Sequence, residues 1–435
     1  MSAANRLCMS RQTDTFADHF CKQMNNDTSY HTLPNGLQIV HRPTTSPVAY
    51  VGIMVGTGTR YEQPQENGMA HYIEHCVFKG TQHYTARQII NHIEGMGGEI
   101  NAYTTKEETT FYAATLRQHW RTTLHLIADM VLHPTFPKKE TDKELTVIFD
   151  EIESYNDSPS ELIYDDFEGL IFQGNPLAMP ILGNKKTLRH IASSSQYPYL
   201  WMQKHYRPER MVLFVLGDIN TQQIIHYAER LFSDVVTPNA TPVSITPPAD
   251  ITTPQQALFR RHTHQTHLML GAHAYPIGHP KQLAMYLLNN ILGGGSMSSR
   301  LNLALREKRG LVYTIESQYT PLSDTGYWNI YLACEPQHKQ QCVDLCIHEL
   351  QQLRQTTLTT TQFQHALQQI EGQMAISAEN NENNALAMAK STLYHHYAPI
   401  WQETFQQLQQ LTPRQLQEVA DEVYNEKCIC LLQYD

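Results

Sequence analysis

Hydrophobic positions along this chain switch between strand-like and helical spacing, and the switches occur in the same order twice. In the first half an alternating segment, VAYVGIMVG at 48–56, predicts a strand. A helical segment, GMAHYIEHCVFKGT (68–81), follows, and then a strand pair, EINAYTT (99–105) and TTFYAATL (109–116). Two long helices complete the series, HWRTTLHLIADMVL (119–132) and KETDKELTVIFDEIESYN (139–156). In the second half a strand (HLMLGAHAY, 267–275), a helix (QLAMYLLNNILGG, 282–294) and a strand pair (LVYTIESQY, 311–319; GYWNIYLACE, 326–335) repeat that order. Two more helices close it, CVDLCIHELQQLRQ (342–355) and TTQFQHALQQIEGQMAISAEN (360–380). Matching elements are offset by roughly 210 to 225 residues, which indicates one duplication rather than a repeat array.

Between the halves, TPNATPVSITPPADITTPQQ (237–256) carries five prolines and interrupts any period. The expected organisation is an N-terminal extension over 1–31, a first domain over 32–236, a linker over 237–256 and a homologous second domain over 257–435. Each domain is expected to be α+β, a mostly antiparallel sheet packed with helices.

Composition narrows the function classes. A chain of 435 residues exceeds what one core supports, and 41% hydrophobic residues suffice for ordinary globular cores. Lys+Arg 32 against Asp+Glu 42 gives a net charge of −10, without a long basic run, so nucleic acid is not an expected partner. The sequence contains no apolar run long enough for a membrane span. MSAANRLCMSRQTDTFADHFCKQ lacks the apolar core of a secretory signal, and Asp14 and Asp18 argue against a transit peptide, so a cytoplasmic location is expected. The eight cysteines show neither CxxC spacing nor a compact framework; Cys342 and Cys346, one helical turn apart, read as core thiols.

The helix at 68–81 carries the candidate chemistry. His71 and His75 stand at i and i+4, and Glu74 lies three residues after His71, so all three can share one face. Apolar Met69, Tyr72, Ile73, Cys76 and Val77 cover the rest. Two imidazoles as ligands, with a carboxylate beside the open position to take a proton from bound water, is what a catalytic zinc site requires. The order is H-x-x-E-H, the inverse of H-E-x-x-H. A buried helix that happens to hold polar residues is the bland alternative, since short motifs recur by accident. A third ligand is also needed. Glu144 and Glu151, two turns apart with Ile148 between them, share a helix face, although acidic faces are by themselves more often solvated surface.

Taken together, GMAHYIEHCVFKGT, the pair Glu144 and Glu151, and SRLNLALREKRGLVY (299–313) resemble the inverted-zincin metallopeptidases of the pitrilysin and insulinase clan. The nearest resemblance is to short, processing-peptidase-like bacterial members, and it runs from TLPNGL at residue 32 to the C-terminus. The resemblance implies a zinc endopeptidase in which His71, His75 and Glu151, 76 residues after His75, bind Zn2+. It implies that Glu74 is the general base and that Glu144 orients a ligand histidine. The family's Arg and Tyr, seven residues apart, fall on Arg306 and Tyr313, implying contact with substrate backbone and a hydrogen bond near the scissile carbonyl. Without the resemblance, REKRG is a charged helix end stopped by Gly310, and Tyr313 an ordinary strand aromatic. Asn101, Ala102, Tyr103 and Thr104 are implied to bind peptide substrate by strand addition; an interior strand pair is the alternative.

Two other clusters carry less. Gly293–Gly295 lack the Lys-Ser/Thr of a phosphate loop and read as a flexible loop or a helix end. In HTHQTH, strand alternation would put His267 opposite His262 and His264, and no carboxylate or Cys is near in sequence.

The resemblance further implies a chamber completed by dimerisation, admitting oligopeptides or unfolded segments. Both functional sets are present, which suits an active homodimer; a heterodimer with an inactive partner is the alternative. A noncatalytic peptide-binding or scaffold subunit, or hydrolysis of a non-peptide substrate, are the competing functions. The retained H-x-x-E-H speaks against the first, and the strand-addition segment against the second.

Overall fold

A computed structural model describes residues 28–235, 245–249, 254–261 and 263–435. The first sheet has six strands: β1 (Ser29–Thr32), β2 (Gln38–Arg42), β3 (Val48–Val55), β4 (Glu99–Thr104), β5 (Thr109–Leu116) and β6 (Met211–Leu216), in the order β1-β2-β6-β3-β5-β4. The second has five: β7 (Gln256–Phe259), β8 (Thr266–Ala274), β9 (Val312–Pro321), β10 (Gly326–Cys334) and β11 (Cys430–Tyr434), in the order β7-β11-β8-β10-β9. In each sheet a single pair is parallel, β2 with β6 and β7 with β11; the other pairs are antiparallel. The sheets therefore share one plan, with β1 added to the first.

Helices of the first half are α1 (Met69–Val77), α2 (Ala86–Glu94), α3 (Trp120–Leu132), α4 (Lys138–Asn156), α5 (Pro159–Ile171), α6 (Lys185–Ile191), α7 (Gln196–His205) and α8 (Thr221–Phe232). The second half contributes α9 (Gln282–Gly293), α10 (Lys339–Gln355), α11 (Thr360–Ser377), α12 (Asn381–His395), α13 (Trp401–Gln409) and α14 (Pro413–Val423). No helix among the described residues is long and apolar enough to cross a membrane. One face of the first sheet, with Val51, Ile53 and Leu213, packs on Ile73 of α1, Leu124 and Ile127 of α3, Ile148 of α4 and Ile224 of α8. The corresponding face of the second sheet packs on α9, α10, α11 and α14 through Leu288, Leu350, Ile370 and Val419. Cys342 and Cys346 lie in that second core, as their spacing suggested.

The opposite faces are covered by exchange. Helix α5, from the first half, lays Ile163, Phe167 and Ile171 against Met269, Leu432 and Tyr434 of the second sheet. Helix α12, from the second half, lays Ala385, Met388 and Ala389 against Val40, Met54 and Phe214 of the first. Strands of the first sheet come from residues 29–216 and those of the second from 256–434, yet each sheet needs a helix from the other half to leave water. Helix patterning could not reveal this, because an apolar stripe states that a helix is buried and not what buries it. Strand β1 starts inside the segment expected as an extension, and β7 starts at the last residue of the expected linker. Residues 1–27 and most of that linker lie outside the described residues.

Gly271, in the middle of β8, makes the exchange possible. A Cβ there would stand 2.1 Å from the Trp328 carbonyl oxygen and 2.8 Å from the Phe167 ring, so no larger residue fits beneath α5.

Truncating the fully buried Phe167 to Ala should destabilise the whole chain by about 3–5 kcal/mol, because the lost ring is shared between halves. Urea unfolding followed by circular dichroism tests this, and a loss below about 1 kcal/mol would show that α5 is not needed to close the second sheet.

Candidate metal centre

Helix α1 is anchored at its start. Glu62, 1% exposed, accepts hydrogen bonds from the backbone N–H of Gly68 (2.8 Å) and Ala70 (2.8 Å) and from Asn67 Nδ2 (3.3 Å). These satisfy donors that the first turn of a helix leaves free. Burial pushes the Glu62 carboxyl up to about 8, against the opposing pull of those donors. Gly68 precedes the helix with φ +93°, where a Cβ would be strained and would crowd Gly183.

One turn further on, the face expected from the sequence is present. The His71 and His75 rings lie 4.6 Å apart at 66°. Helix α4 packs across α1 through the buried Ile148 and brings up the two glutamates flanking it. Glu151 Oε2 lies 3.7 Å from His71 Nε2 and 3.4 Å from His75 Nε2. Glu144 Oε1 accepts the Nδ1–H of His75 at 2.9 Å, and Lys79 Nζ pairs with Glu144 Oε2 at 2.7 Å. That bond assigns a proton of His75 to Nδ1 and turns Nε2, the nitrogen that would meet a metal, toward Glu151. Among the described residues, His71, His75 and Glu151 are the one group of three or more His, Cys, Asp or Glu side chains whose donor atoms lie within 4.8 Å of one another.

These residues fit zinc. Tetrahedral bonds of about 2.0–2.1 Å put neighbouring donor atoms roughly 3.3 Å apart, close to the two separations found here. The electrostatics of His71 fit as well. Burial, reinforced by His75, lowers the His71 pKa to about 4, so its ring is neutral and available as a ligand. Burial alone would lower His75 too, but Glu151 and Glu144 outweigh it and raise its pKa. The hydrogen bond with His75 holds Glu151 below the ordinary carboxylate range.

Glu74 is half-buried beside the group, and burial raises its pKa. Its Oε2 accepts a 2.6 Å hydrogen bond from Thr104 Oγ1, at the end of β4. Among the described residues β4 pairs with β5 alone and is an edge of the first sheet, so the interior alternative for Asn101, Ala102, Tyr103 and Thr104 does not apply there.

In the second half, Arg306 lies in a π-helical turn (Asn302–Glu307) with its guanidinium 5.6 Å from the Tyr313 ring, and Tyr313 is 80% exposed. Among the described residues no hydrogen bond or ion pair joins either of them to His71, Glu74, His75, Glu144 or Glu151. Gly310, with φ +61°, ends that turn, as its place in REKRG suggested. Helix α9 likewise stops at Gly293. HTHQTH departs from its expected alternation: β8 starts at Thr266, so a strand register applies to His267 alone. His267 bonds to the Tyr331 hydroxyl at 2.9 Å, His264 is exposed, and His262 lies outside the described residues.

Several contributors carry no signal in the sequence. Glu62 and Lys79 stand outside the H-x-x-E-H run, and nothing along the chain separates either from ordinary surface charge. Thr104, expected only to meet substrate, has its hydroxyl engaged with Glu74.

Comparison with known proteins agrees with this architecture. Residues 38–185 match the model of the insulinase family (peptidase family M16), and residues 199–370 match that of the peptidase M16 inactive domain. The second match spans Arg306 and Tyr313 and excludes the histidine and glutamate cluster. A Bacillus subtilis protein named as an uncharacterized zinc protease, YmxG, is 33% identical over 83% of this chain and 87% of its own. A Streptomyces coelicolor protein of similar name is 30% identical over 90% and 86%. In fold, the chain resembles a Helicobacter pylori protease, with TM-score 0.86, 20% identity and coverage of 94% and 99%. A Pseudomonas fluorescens structure described as a peptidase M16 inactive domain gives TM-score 0.85 at 19% identity, with coverage of 94% and 97%. With a relative this similar along most of its length and both domain models in sequence order, the chain belongs to the insulinase (M16) peptidase family, in its short two-domain form.

Proposed function

We propose that this protein is a zinc-dependent endopeptidase acting on oligopeptides or unfolded segments. The reading is carried by the convergence of His71 Nε2, His75 Nε2 and Glu151 Oε2 beside the half-buried Glu74. Relatives named as zinc proteases support the metal and the reaction class.

His71, His75 and Glu151 would hold the ion, and Glu144 keeps His75 in the required tautomer. Zinc, when bound, supplies Lewis acidity that polarises a peptide carbonyl and acidifies water. Thr104 occupies Oε2 of Glu74, which leaves Oε1 to accept the proton of the attacking water and pass it to the leaving amine. The open edge of β4 over Asn101–Thr104 would take an extended peptide as a further strand, satisfying its backbone through main-chain hydrogen bonds. Arg306 would contact the substrate backbone, and the exposed Tyr313 hydroxyl would donate to developing oxyanion charge. A peptide spanning both halves would then bridge two residue sets that do not touch each other directly. Pairing of two chains into a chamber would enclose the site; a homodimer suits a chain that carries both sets, and an inactive partner chain is the alternative.

Glu74→Gln should retain about one zinc per chain while peptide cleavage falls roughly 10²–10⁴-fold. Metal analysis alongside a fluorogenic peptide library checks both, and a zinc-loaded wild type that cleaves no peptide defeats the reading. Glu144→Gln, by loosening His75, should weaken zinc binding about 10–100-fold, read by competition with a chelator. An unchanged affinity would remove Glu144 from the ligand-orienting role.

A further inference from the structure

The turn joining β4 to β5 carries Lys106, Glu107 and Glu108, three consecutive charges that a hairpin turn ordinarily leaves in water. Here they are 6%, 2% and 2% exposed. Each is tied to a different element. Lys106 Nζ donates to the Met179 carbonyl (2.6 Å) and pairs with Glu168 of α5 (2.9 Å), whose other oxygen accepts from Tyr327 of β10 (2.7 Å). Glu107 pairs with Arg60 and accepts from both the hydroxyl (2.6 Å) and the backbone N–H (2.8 Å) of Ser323. Arg60 reaches on to Asp324 at 2.6 Å. Glu108 receives Lys390 and, at 2.8 Å, the Tyr394 hydroxyl, both from α12. The turn itself is closed by Thr105, whose N–H donates to the Glu108 carbonyl (2.8 Å) and whose Oγ1 accepts from the N–H of Glu107 (3.2 Å) and Glu108 (3.1 Å).

One residue upstream stands Thr104, the hydrogen-bond donor to Glu74. Among the described residues β4 has a neighbouring strand on one side only, so the placing of its end depends on how the turn is anchored. Apolar residues of similar size would serve cohesion as well as a buried ion network does; what the network adds is defined geometry. We propose that the turn is a positioning element through which the second half, by Ser323 and Lys390 acting on Glu107 and Glu108, holds Thr104 in place and so orients the Glu74 carboxylate. This rests on Glu74 serving as the base of the proposed peptidase reaction. The second half then acts on the chemistry through the back of the site as well as through Arg306 and Tyr313. None of the positioning residues touches substrate, and their effect on rate passes through Thr104, because small errors in the orientation of a base are costly to turnover.

The test uses zinc-loaded full-length protein and the variants Ser323→Ala, which keeps the Arg60–Glu107 and Lys390–Glu108 pairs, and Lys390→Met, with Thr104→Val as reference. Thr104→Val is expected to lower kcat about tenfold, with KM and zinc content unchanged. Ser323→Ala and Lys390→Met should each lower kcat roughly three- to tenfold with the same split. In the Thr104→Val background either change should add less than about twofold, because the effect has lost its carrier. Full additivity in that background, or a lowered melting temperature with kcat intact, overturns the inference. Crystal structures of wild type and Lys390→Met decide it independently of turnover: the Thr104–Glu74 hydrogen bond should be broken in the variant, and its persistence overturns the positioning role. A wild type that cleaves no peptide, by contrast, defeats the peptidase reading, while the two crystal structures still decide whether Lys390 holds Thr104 in place.

Discussion

The contact between α1 and α4 is the constraint on which the centre depends. Helix α1 offers two imidazoles and a carboxylate, but no third candidate ligand of its own. Helix α4 supplies it because Ile148, fully buried, locks the two helices at a height where Glu151 meets both rings and Glu144 meets the back of one. A slip of one helical turn, about 5.4 Å, would move Glu151 out of reach and bring no other carboxylate to the same point. The start of α1 is tethered just as firmly, through the bonds from Gly68 and Ala70 to Glu62. The ligand face is thus held from its beginning and from its side.

Around this contact the protein places buried charge where apolar packing would have been simpler. Arg60, Lys106, Glu107 and Glu108 are all nearly inaccessible and cluster about the loops at one end of the first sheet. Removing one partner of such a pair leaves an uncompensated buried charge, at a cost of about 3–5 kcal/mol, so the network enforces a single arrangement even if it adds little net stability. Its far members, Ser323, Asp324, Lys390 and Tyr394, come from the second half. With the exchange of α5 and α12, they make the two halves one mechanical unit.

The two halves share a plan but differ in their side chains. Both sheets have the same plan and a free edge in the same place, β4 in one and β9 in the other. Beside β4 stands a helix bearing the candidate ligands His71 and His75. The corresponding helix of the second half, α9, has only apolar and amide side chains on its inner face, among them Leu288 and Asn289. Beside β9 stands the Arg306–Tyr313 pair. One half thus carries the candidate metal ligands and the other an exposed aromatic and a cation.

Spacing along the chain was sufficient for whatever is local in origin. The i, i+3, i+4 placing of His71, Glu74 and His75 and the two-turn separation of Glu144 and Glu151 are properties of helical geometry, so their shared faces could be read directly. The alternation and apolar runs of β3, β4, β5, β8, β9 and β10 were legible for the same reason. That Glu151 rather than another acid should be the third ligand came from family resemblance, and the contact itself exists only because α4 folds back on α1. Tertiary structure alone decided that β4 is an edge, that Thr104 bonds to Glu74, and that the KEE turn is buried. Each of these depends on partners from distant parts of the chain, among them Ser323 and Lys390. A residue's pattern along the chain records its own periodicity and polarity, while burial and pairing are properties of two segments at once.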